Sequence, residues 1–485
     1  MPTRSAGTVD DDLAPSDVSQ PAAPPTSLIP ELQSTGDIHR TVWRLAWPSV
    51  LTMLLQTFNG LMDTLFVGHL PNSKQALAAT GVGGQVIFLL ISLAMGVSVG
   101  TSALVARFTG AKNYEDRLRA TAQSLTLSLM LALFFGALFY VERDWIISLM
   151  LARKDGPEAA LLCGEFLGVA LLATVPLFLM NVAMGAFRGL GDTRTPMVVQ
   201  TAAIVTHISL NWVLINGYLG FPRLGVRGAG LAFAISVFVG AALYMIVLVK
   251  RSPLAAALTR PYLKFDPTFE WYQRILKVGI PAAVQAVIRT LAMMSFTSLL
   301  SRTVESSTAV AALSISVRAE AIAYMPGFGY SVAASALVGQ YLGAKDPRRA
   351  ERSAWAATHQ AILVMAFVGV GFYLFSRPLA ALFSIDSSVQ QLGGDYLRIN
   401  SICEPFMALG MVLTGALQGA GDTIRPTFIT FFTMWIVRMP LAYWLMFPQH
   451  LQTQGAWWSM CLSAIIGGLM TAFLFQLGTW KSIKV

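Results

Sequence analysis

The sequence predicts an all-α polytopic membrane protein with twelve membrane-spanning helices in two six-helix lobes. Of the 485 residues, 55% are hydrophobic and only 12% are charged, whereas a soluble protein carries roughly 25% Asp, Glu, Lys and Arg. Apolar runs also recur along the whole chain. Because a bilayer core of about 30 Å needs roughly 20 apolar residues in a helix, about twelve spans fit this length.

The apolar runs fall into two sets of six, separated by a polar, proline-containing stretch. The first set comprises residues 42–67, 83–108, 118–141, 161–187, 195–217 and 228–250. The second set comprises residues 275–300, 311–341, 354–376, 393–417, 427–448 and 453–478. We therefore predict four regions, namely a disordered cytoplasmic tail (1–38), a first lobe (39–250), a cytoplasmic linker (251–274) and a second lobe (275–485).

Two motifs occur twice at nearly the same offset, which indicates an internal repeat. The segment GAFRGLGDTRTP (Gly185–Pro196) corresponds to GALQGAGDTIRP (Gly415–Pro426), and SALVARFTGAK from Ser102 corresponds to SALVGQYLGAK from Ser335, 233 positions later. Six spans per half start both halves on the same side of the membrane, so the repeat is parallel. Parallel repeats hold the substrate site near the bilayer midplane between the lobes. Asp192 and Asp422, within the first motif, are predicted to cap the helices that follow.

Charge and cysteine usage exclude several classes of protein. The net charge of +9 comes from cations scattered in short loops, which is not the pattern of a nucleic-acid-binding groove. Most of these cations lie in the tails and in the loops on the same side of the membrane as the N-terminus. This asymmetry favours cytoplasmic termini in a cell inner (plasma) membrane. Cys163, Cys403 and Cys461 show neither metal-ligand spacing nor a disulfide framework, so we expect no metal and no cofactor.

The motifs carry a family resemblance. Trp47 and Pro48 precede Asp63 by about four helical turns, GAK follows spans two and eight, and GxGDTxxP precedes spans five and eleven. With the segment Ser209–Gly230, these features make the chain resemble the multidrug and toxic compound extrusion (MATE) transporters over nearly all of Ile38–Leu477. The resemblance implies two six-helix lobes and export of organic compounds against inward H⁺ or Na⁺. We therefore expect a monomeric transporter of small organic substrates in a lipid bilayer, and not an enzyme.

Asp63 is the first candidate for cation coupling. It is the only fully charged residue between Leu45 and Val67, and a carboxylate at the centre of a membrane helix costs at least roughly 2.5 kcal/mol. Asp63 should therefore face the protein interior or a wet cavity, together with Asn59 one turn earlier. The alternative is a position near the outer interface, because Asp63 lies about 28 Å along the helix from Arg44. The resemblance implies cation coupling at this aspartate.

Span five adds polar side chains to this candidate site. His207 and Asn211 are four residues apart and share a helix face, and Asn211 matches a family asparagine. Some members carry an aspartate four residues further on, where this chain has Ile215. Since a sodium shell of hard oxygens would include that acid, H⁺ is favoured over Na⁺. His207 is either a proton-relay residue or a packing hydrogen bonder, and Asn181 is a further cavity amide.

The second half departs from the family pattern. Arg289 stands where many toxin-extruding members carry a glutamate, and it can hold an acid in its ionised state or meet anionic substrate groups. Either a structural ion-pair network or a substrate contact would explain these charges, which are Arg289, Arg318, Glu320, Glu404 and Arg438. Adaptable thioethers suit promiscuous cavities, so Met180 and Met184 are further cavity candidates.

The function that the sequence favours is a cation-coupled antiporter that exports organic cations, amphiphilic drugs or metabolites by alternating access. A flippase of lipid-linked or anionic amphiphilic substrates is the alternative, because the intramembrane arginines suit a pyrophosphate. A polytopic membrane enzyme ranks last, since the only dense acid cluster, Asp10–Asp12, lies in the tail.

Overall fold

The computed structural model describes residues 35–151, 156–251, 254–255 and 269–483, and these residues form helices without any β-strand. The helices of the first half are α1 (Thr35–Gly68), α2 (Ser73–Gly110), α3 (Tyr114–Val141), α4 (Arg143–Met150), α5 (Gly156–Ala170), α6 (Thr174–Gly189), α7 (Arg194–Asn216) and α8 (Gly225–Arg251). Those of the second half are α9 (Phe269–Leu300), α10 (Ser306–Gly343), α11 (Pro347–Ala381), α12 (Ser387–Asn400), α13 (Glu404–Gly419), α14 (Ile424–Phe431), α15 (Met439–Met446) and α16 (Gln452–Gln476).

The twelve predicted spans are confirmed. Among the described residues, eleven helical segments are long and apolar enough to cross a bilayer, and α12 and α13 together form the twelfth span with a bend of 61°. The amphipathic helix α4 lies outside the spans and was not predicted. Each predicted apolar run lies within or close to one of these segments, because a chain among lipid tails satisfies its backbone hydrogen bonds within a helix.

Two predicted boundaries differ from the structure, although most of the predicted tail and linker lies outside the described residues. Helix α1 begins at Thr35, inside the predicted tail, and α9 begins at Phe269, inside the predicted linker. The first turns of α1 and α9 carry polar residues. Boundaries predicted from apolar runs therefore leave these turns out. In α9 the pair Glu270 and Arg274, 2.5 Å apart, stabilises the extra turn, as oppositely charged residues four apart do in helices.

The repeat extends to irregular features of the backbone. The fourth span of each half is interrupted, by a 3₁₀ turn at Leu171–Ala173 and by a turn at residues 401–403. Gly191 and Gly421 both have a positive φ, of 80° and 88°, which L side chains rarely adopt. Two halves with corresponding spans, each interrupted in its fourth span and followed by a positive-φ glycine, confirm the parallel internal repeat.

The capping role predicted for the two motif aspartates is confirmed. The Asp192 carboxylate accepts hydrogen bonds from the Arg194 and Thr195 amides at 3.1 and 3.0 Å. The Asp422 carboxylate accepts one from the Arg425 amide at 3.4 Å. Each carboxylate thereby satisfies amide groups that have no partner within the helix.

The first helix of each half begins against the other half. Ile38, Val42 and Ala46 at the start of α1 pack into the core of the second half. Trp271 and Tyr272 at the start of α9 pack into the core of the first half. The two lobes therefore exchange the first turns of α1 and α9, on the side of the molecule where both helices begin, called here the N-terminal side.

Glycines allow these crossing helices to approach closely. A Cβ atom added to Gly96 in α2 would lie 2.8 Å from the Gly279 carbonyl oxygen of α9. In the repeat-related pair, a Cβ atom on Gly329 in α10 would lie 3.0 Å from the Ala46 carbonyl oxygen of α1. Small residues at helix contacts let backbones pack tightly where no hydrophobic effect drives association.

We predict that Gly96→Ala destabilises the protein by about 1–3 kcal/mol, as overpacking does, and lowers the midpoint of its thermal unfolding in detergent. Gly84→Ala is the matched control, because Gly84 lies on the same helix with nothing within 4 Å of the added atom. The control should be neutral or stabilising, since Ala is the better helix former. Equal midpoints for the two variants would contradict this packing.

Candidate functional site

Helices α1 and α7 bring Asp63 next to two polar side chains of span five. The Asn211 side-chain nitrogen donates a hydrogen bond of 2.6 Å to Asp63 Oδ1, and His207 Nε2 lies 3.6 Å from the same oxygen. His207 and Asn211 are buried, whereas 39% of the Asp63 side chain is accessible. The carboxyl group thus sits at the accessible edge of a buried polar cluster.

Asn59 completes this group, called here the Asp63 cluster (Asn59, Asp63, His207 and Asn211). The Asn59 side-chain nitrogen lies 3.0 Å from His207 Nδ1, and that of Asn211 lies 3.2 Å from His207 Nε2. A neutral imidazole accepts a hydrogen bond at one ring nitrogen and donates from the other. A neutral His207 ring can therefore accept a hydrogen bond from only one of these two amides, so the amide orientations and the histidine tautomer are linked.

The cluster also holds acceptor atoms that make no hydrogen bond within the described part of the chain. These are the side-chain oxygens of Asn59 and Asn211, both buried. An unsatisfied buried acceptor costs about 1–3 kcal/mol. With the Asp63 carboxylate, they form a small group of oxygens that can receive a proton donor or a cation.

Only the first half carries the polar residues of the Asp63 cluster. The offset of 233 places Ala292 and Phe296 of α9 at the positions of Asn59 and Asp63, and both are buried and apolar. The motif offset of 230 places Val437 and Leu441 at the positions of His207 and Asn211. The repeat thus preserves the backbone but leaves the second half without a counterpart of the cluster.

Three predicted cavity residues of the first half lie elsewhere. Asn181 donates to the Leu177 carbonyl oxygen of its own helix at 2.9 Å, and within residues 35–151 and 156–251 no hydrogen bond joins its side chain to the Asp63 cluster. Met180 and Met184 are 9% and 6% exposed and belong to the hydrophobic core of the first half. They therefore pack the lobe instead of lining an accessible surface.

A second polar group lies inside the second half. Tyr396 donates a 2.6 Å hydrogen bond to the buried Glu320 carboxyl group. The Arg438 side chain donates from Nε to Ser463 Oγ at 2.8 Å. Arg438 lies on a π-helical turn, Phe432–Arg438, and such turns are frequent at functional sites.

Of the two explanations for these charges, the ion-pair network is not formed among residues 269–483. Within residues 269–483, no carboxylate lies within 4 Å of Arg289, Arg318 or Arg438. Hydroxyl groups of Tyr396 and Ser463 satisfy Glu320 and Arg438 instead. Arg289 and Arg318 are exposed.

Glu404 differs from the other acids because its two carboxyl oxygens make no hydrogen bond among the described residues. Its side chain is fully buried at the start of α13. Arg438 and Glu320 are near enough to interact electrostatically, and so are Glu320 and Glu404. The second half thus holds a connected polar network without an ion pair.

Sequence reasoning missed the hydroxyl partners and one aromatic neighbour. Tyr396 and Ser463 lie in apolar runs where nothing in the sequence marks them as partners of Glu320 and Arg438. Phe233 of α8 packs edge-on against His207, with ring centroids 6.3 Å apart. Helical spacing within spans six, ten or twelve does not reveal a partner on another helix.

A multi-pass membrane transporter is the class that the repeat and the intramembrane acid define. A model of the MatE family matches residues 48–213 and 281–444, one segment in each half. The chain belongs to the MatE family. It is 30% identical over 460 residues to the probable multidrug resistance protein NorM of Thermotoga maritima, covering 93% of this chain and 95% of that relative.

Two further proteins are similar over nearly their whole lengths. The probable multidrug resistance protein YoeA of Bacillus subtilis is 26% identical over 462 residues, covering 94% of this chain and 97% of that relative. A crystal structure of MATE in complex with MaL6 superposes with a TM-score of 0.84 at 25% identity. The superposition covers 92% of this chain and 98% of that one.

We predict that Tyr396→Phe lowers stability by about 1–3 kcal/mol, because it leaves the buried Glu320 carboxyl group without its donor. Tyr443→Phe is the control, since Tyr443 is 55% exposed and its hydroxyl group makes no hydrogen bond with a described residue. Thermal unfolding in detergent measures both changes. Similar midpoints would show that the hydroxyl group of Tyr396 contributes nothing to the fold.

Proposed function

We propose that this protein is a cation-coupled secondary antiporter that exports organic cations, amphiphilic drugs or metabolites by alternating access. The single observation that carries the proposal is the accessible Asp63 carboxyl group held by Asn211 at 2.6 Å beside His207. Relatives named as probable multidrug resistance proteins support this substrate class. The transporter works as a monomer in the inner membrane, with both termini and the linker in the cytoplasm.

Coupling follows from competition for Asp63. A carboxyl group away from bulk water is more easily occupied by a proton or a nearby cation than one in solution. Occupation weakens its bond with Asn211, which joins α1 to α7. Because Pro48 interrupts the backbone hydrogen bonding of α1, the part of α1 that carries Asp63 can then shift relative to its first turns.

The proton is the favoured coupling ion. Hard metal cations take several oxygen ligands, whereas the cluster supplies one carboxylate and two amide oxygens. Its fourth member is the imidazole of His207, which can exchange a proton with the Asp63 carboxyl group 3.6 Å from its Nε2. Ile215, fully buried and apolar, adds no further oxygen to the group.

We expect Asp63→Asn to reduce export of ethidium from cells that lack their main efflux pumps by at least about tenfold, the effect of 1.4 kcal/mol. Asp144→Asn is the matched control, because its side chain is 83% exposed on α4 outside the spans. A proton uncoupler should abolish wild-type export, and replacement of sodium should leave it unchanged. Normal export by Asp63→Asn at wild-type expression would contradict coupling at Asp63 and direct attention to Glu320 and Glu404.

A flippase of anionic amphiphiles is the second candidate, and Arg289 is the observation that favours it. This arginine is exposed although it lies in the middle of a membrane-spanning helix, and it interacts electrostatically with Arg438. Two adjacent cations would suit phosphate groups. A membrane enzyme ranks below both transport functions.

We expect Arg289→Gln to leave ethidium export intact if the antiporter proposal holds, because a cationic substrate gains nothing from an arginine. Its matched control is Arg318→Gln, an exposed arginine on α10. Uptake of a fluorescent anionic lipid analogue into proteoliposomes provides the second measurement. Lipid translocation by the wild type that falls severalfold in Arg289→Gln alone would favour the flippase instead.

A further inference from the structure

A pocket separate from the Asp63 cluster lies on the N-terminal side, between the first turns of α1 and of α11. It has a volume of about 480 Å³. The residues that line it come from two helices and include charged, aromatic and apolar side chains, namely Ile38, His39, Arg348, Glu351, Arg352, Trp355, Ala356 and His359. Neither the proposed transport cycle nor the family motifs use this pocket.

The pocket carries excess positive charge. Its one acid, Glu351, is paired with Lys481 at 2.7 Å. Arg348 and Arg352 are exposed, and neither forms an ion pair with a described residue. The arginine between them, Arg349, pairs with Asp346 at 3.4 Å and does not line the pocket. Two arginines thus remain free to bind an anion.

The polarity of α1 and α11 indicates that the pocket lies at the depth of the lipid headgroups. The apolar run of α11 begins at Ala354, two residues after Arg352 and immediately before the half-buried Trp355. On α1 the first buried apolar turn, Ile38–Val42, begins beside the pocket. Tryptophan next to arginine at the end of a spanning helix is typical of the boundary between headgroups and acyl chains.

The internal repeat shows that the pocket is specific to one half. The offset of 233 places Trp271 and Tyr272 of α9 at the positions of Ile38 and His39. Both aromatic residues are 8% exposed and pack against the core of the first half. Smaller side chains at the start of α1 therefore leave open a volume that aromatic rings fill at the start of α9.

Charge differs between the two halves in the same way. The offset places Glu115 and Arg119 of α3 at the positions of Arg348 and Arg352. These two residues neutralise each other in a 2.7 Å ion pair. Arg348 of α11 stands at the position of the acid Glu115. The second half therefore carries two unpaired positive charges at these positions, where the first half carries a neutral pair.

We propose that this pocket binds the phosphate headgroup of an anionic phospholipid, with Arg348 and Arg352 on the phosphate and Trp355 against the upper acyl chain. Arginine pairs readily with phosphate in a bidentate geometry, and basic pockets at the membrane surface attract anionic lipids. The acidic residues Asp10–Asp12 of this chain are the competing occupant. The lipid is favoured because the pocket adjoins the acyl-chain region. There the apolar ring of Trp355 can pack against an acyl chain, which the acidic segment does not have.

The test is native mass spectrometry of the full chain with phosphatidylglycerol and with phosphatidylcholine of equal acyl length. Phosphatidylglycerol should be retained preferentially, and Arg348→Gln and Arg352→Gln should each weaken its retention about fivefold, corresponding to about 1 kcal/mol per cation. Arg349→Gln removes the same charge from the same helical turn outside the pocket and should bind as the wild type does. Unchanged thermal midpoints confirm that these exposed substitutions leave the fold intact.

Fluorescence provides a second measurement that needs no arginine variant. Phosphatidylglycerol brominated near the headgroup should quench the emission that is lost in Trp355→Phe, and brominated phosphatidylcholine should not. Three results would overturn the proposal: equal retention in Arg349→Gln and Arg352→Gln, glycerophosphate binding as tight as that of the lipid, or lipid binding that begins only after residues 1–34 are removed. The last result would assign the pocket to the acidic segment.

Discussion

Hydrogen bonding of the backbone is the constraint on which the rest of this structure depends. A chain surrounded by lipid tails has no water to satisfy its amide and carbonyl groups, so each span must be a helix. The helix is interrupted at Leu171–Ala173 and at residues 401–403, and its hydrogen bonding changes at the π-helical turn Phe432–Arg438. The last two adjoin Glu404 and carry Arg438, so irregular backbone and intramembrane charge occur together.

Close helix packing converts this set of helices into two lobes. Gly96 and Gly279 allow α2 and α9 to cross in near contact, and Gly329 and Ala46 do the same for α10 and α1. The exchange of first turns between the lobes follows, because each crossing carries the start of a helix across the interface.

The two halves share a backbone but differ in what they enclose. The first half holds an accessible aspartate in a cluster of amides and an imidazole, at positions where the second half has Ala292 and Phe296. The second half instead encloses Glu320 with Tyr396 and leaves Arg289 exposed. Because the fold is duplicated, the first lobe can carry the proposed cation-coupling residues while the second lobe carries a different set of charged residues.

Prediction from the sequence succeeded where a property belongs to one helix. Hydropathy defined all twelve spans, and the capping aspartates follow from local chemistry. Asn59 with Asp63, and His207 with Asn211, share helix faces by their spacing, which made each pair a candidate. No ion pair forms at Arg438, because a charge inside a membrane protein is satisfied equally by a hydroxyl group such as that of Ser463, and spacing does not reveal which partner the neighbouring helix supplies.

The sequence by itself determined the helical class, the number of spans and the parallel repeat, because the cost of unsatisfied backbone groups in lipid leaves one solution for each apolar run. Only the tertiary structure decided that the faces of α1 and α7 meet, that Met180 and Met184 are core residues, and that α1 leaves a basic pocket beside α11. These outcomes depend on which helices pack together and at what crossing angle. Many other pairings of the helices would bury the same apolar surface equally well.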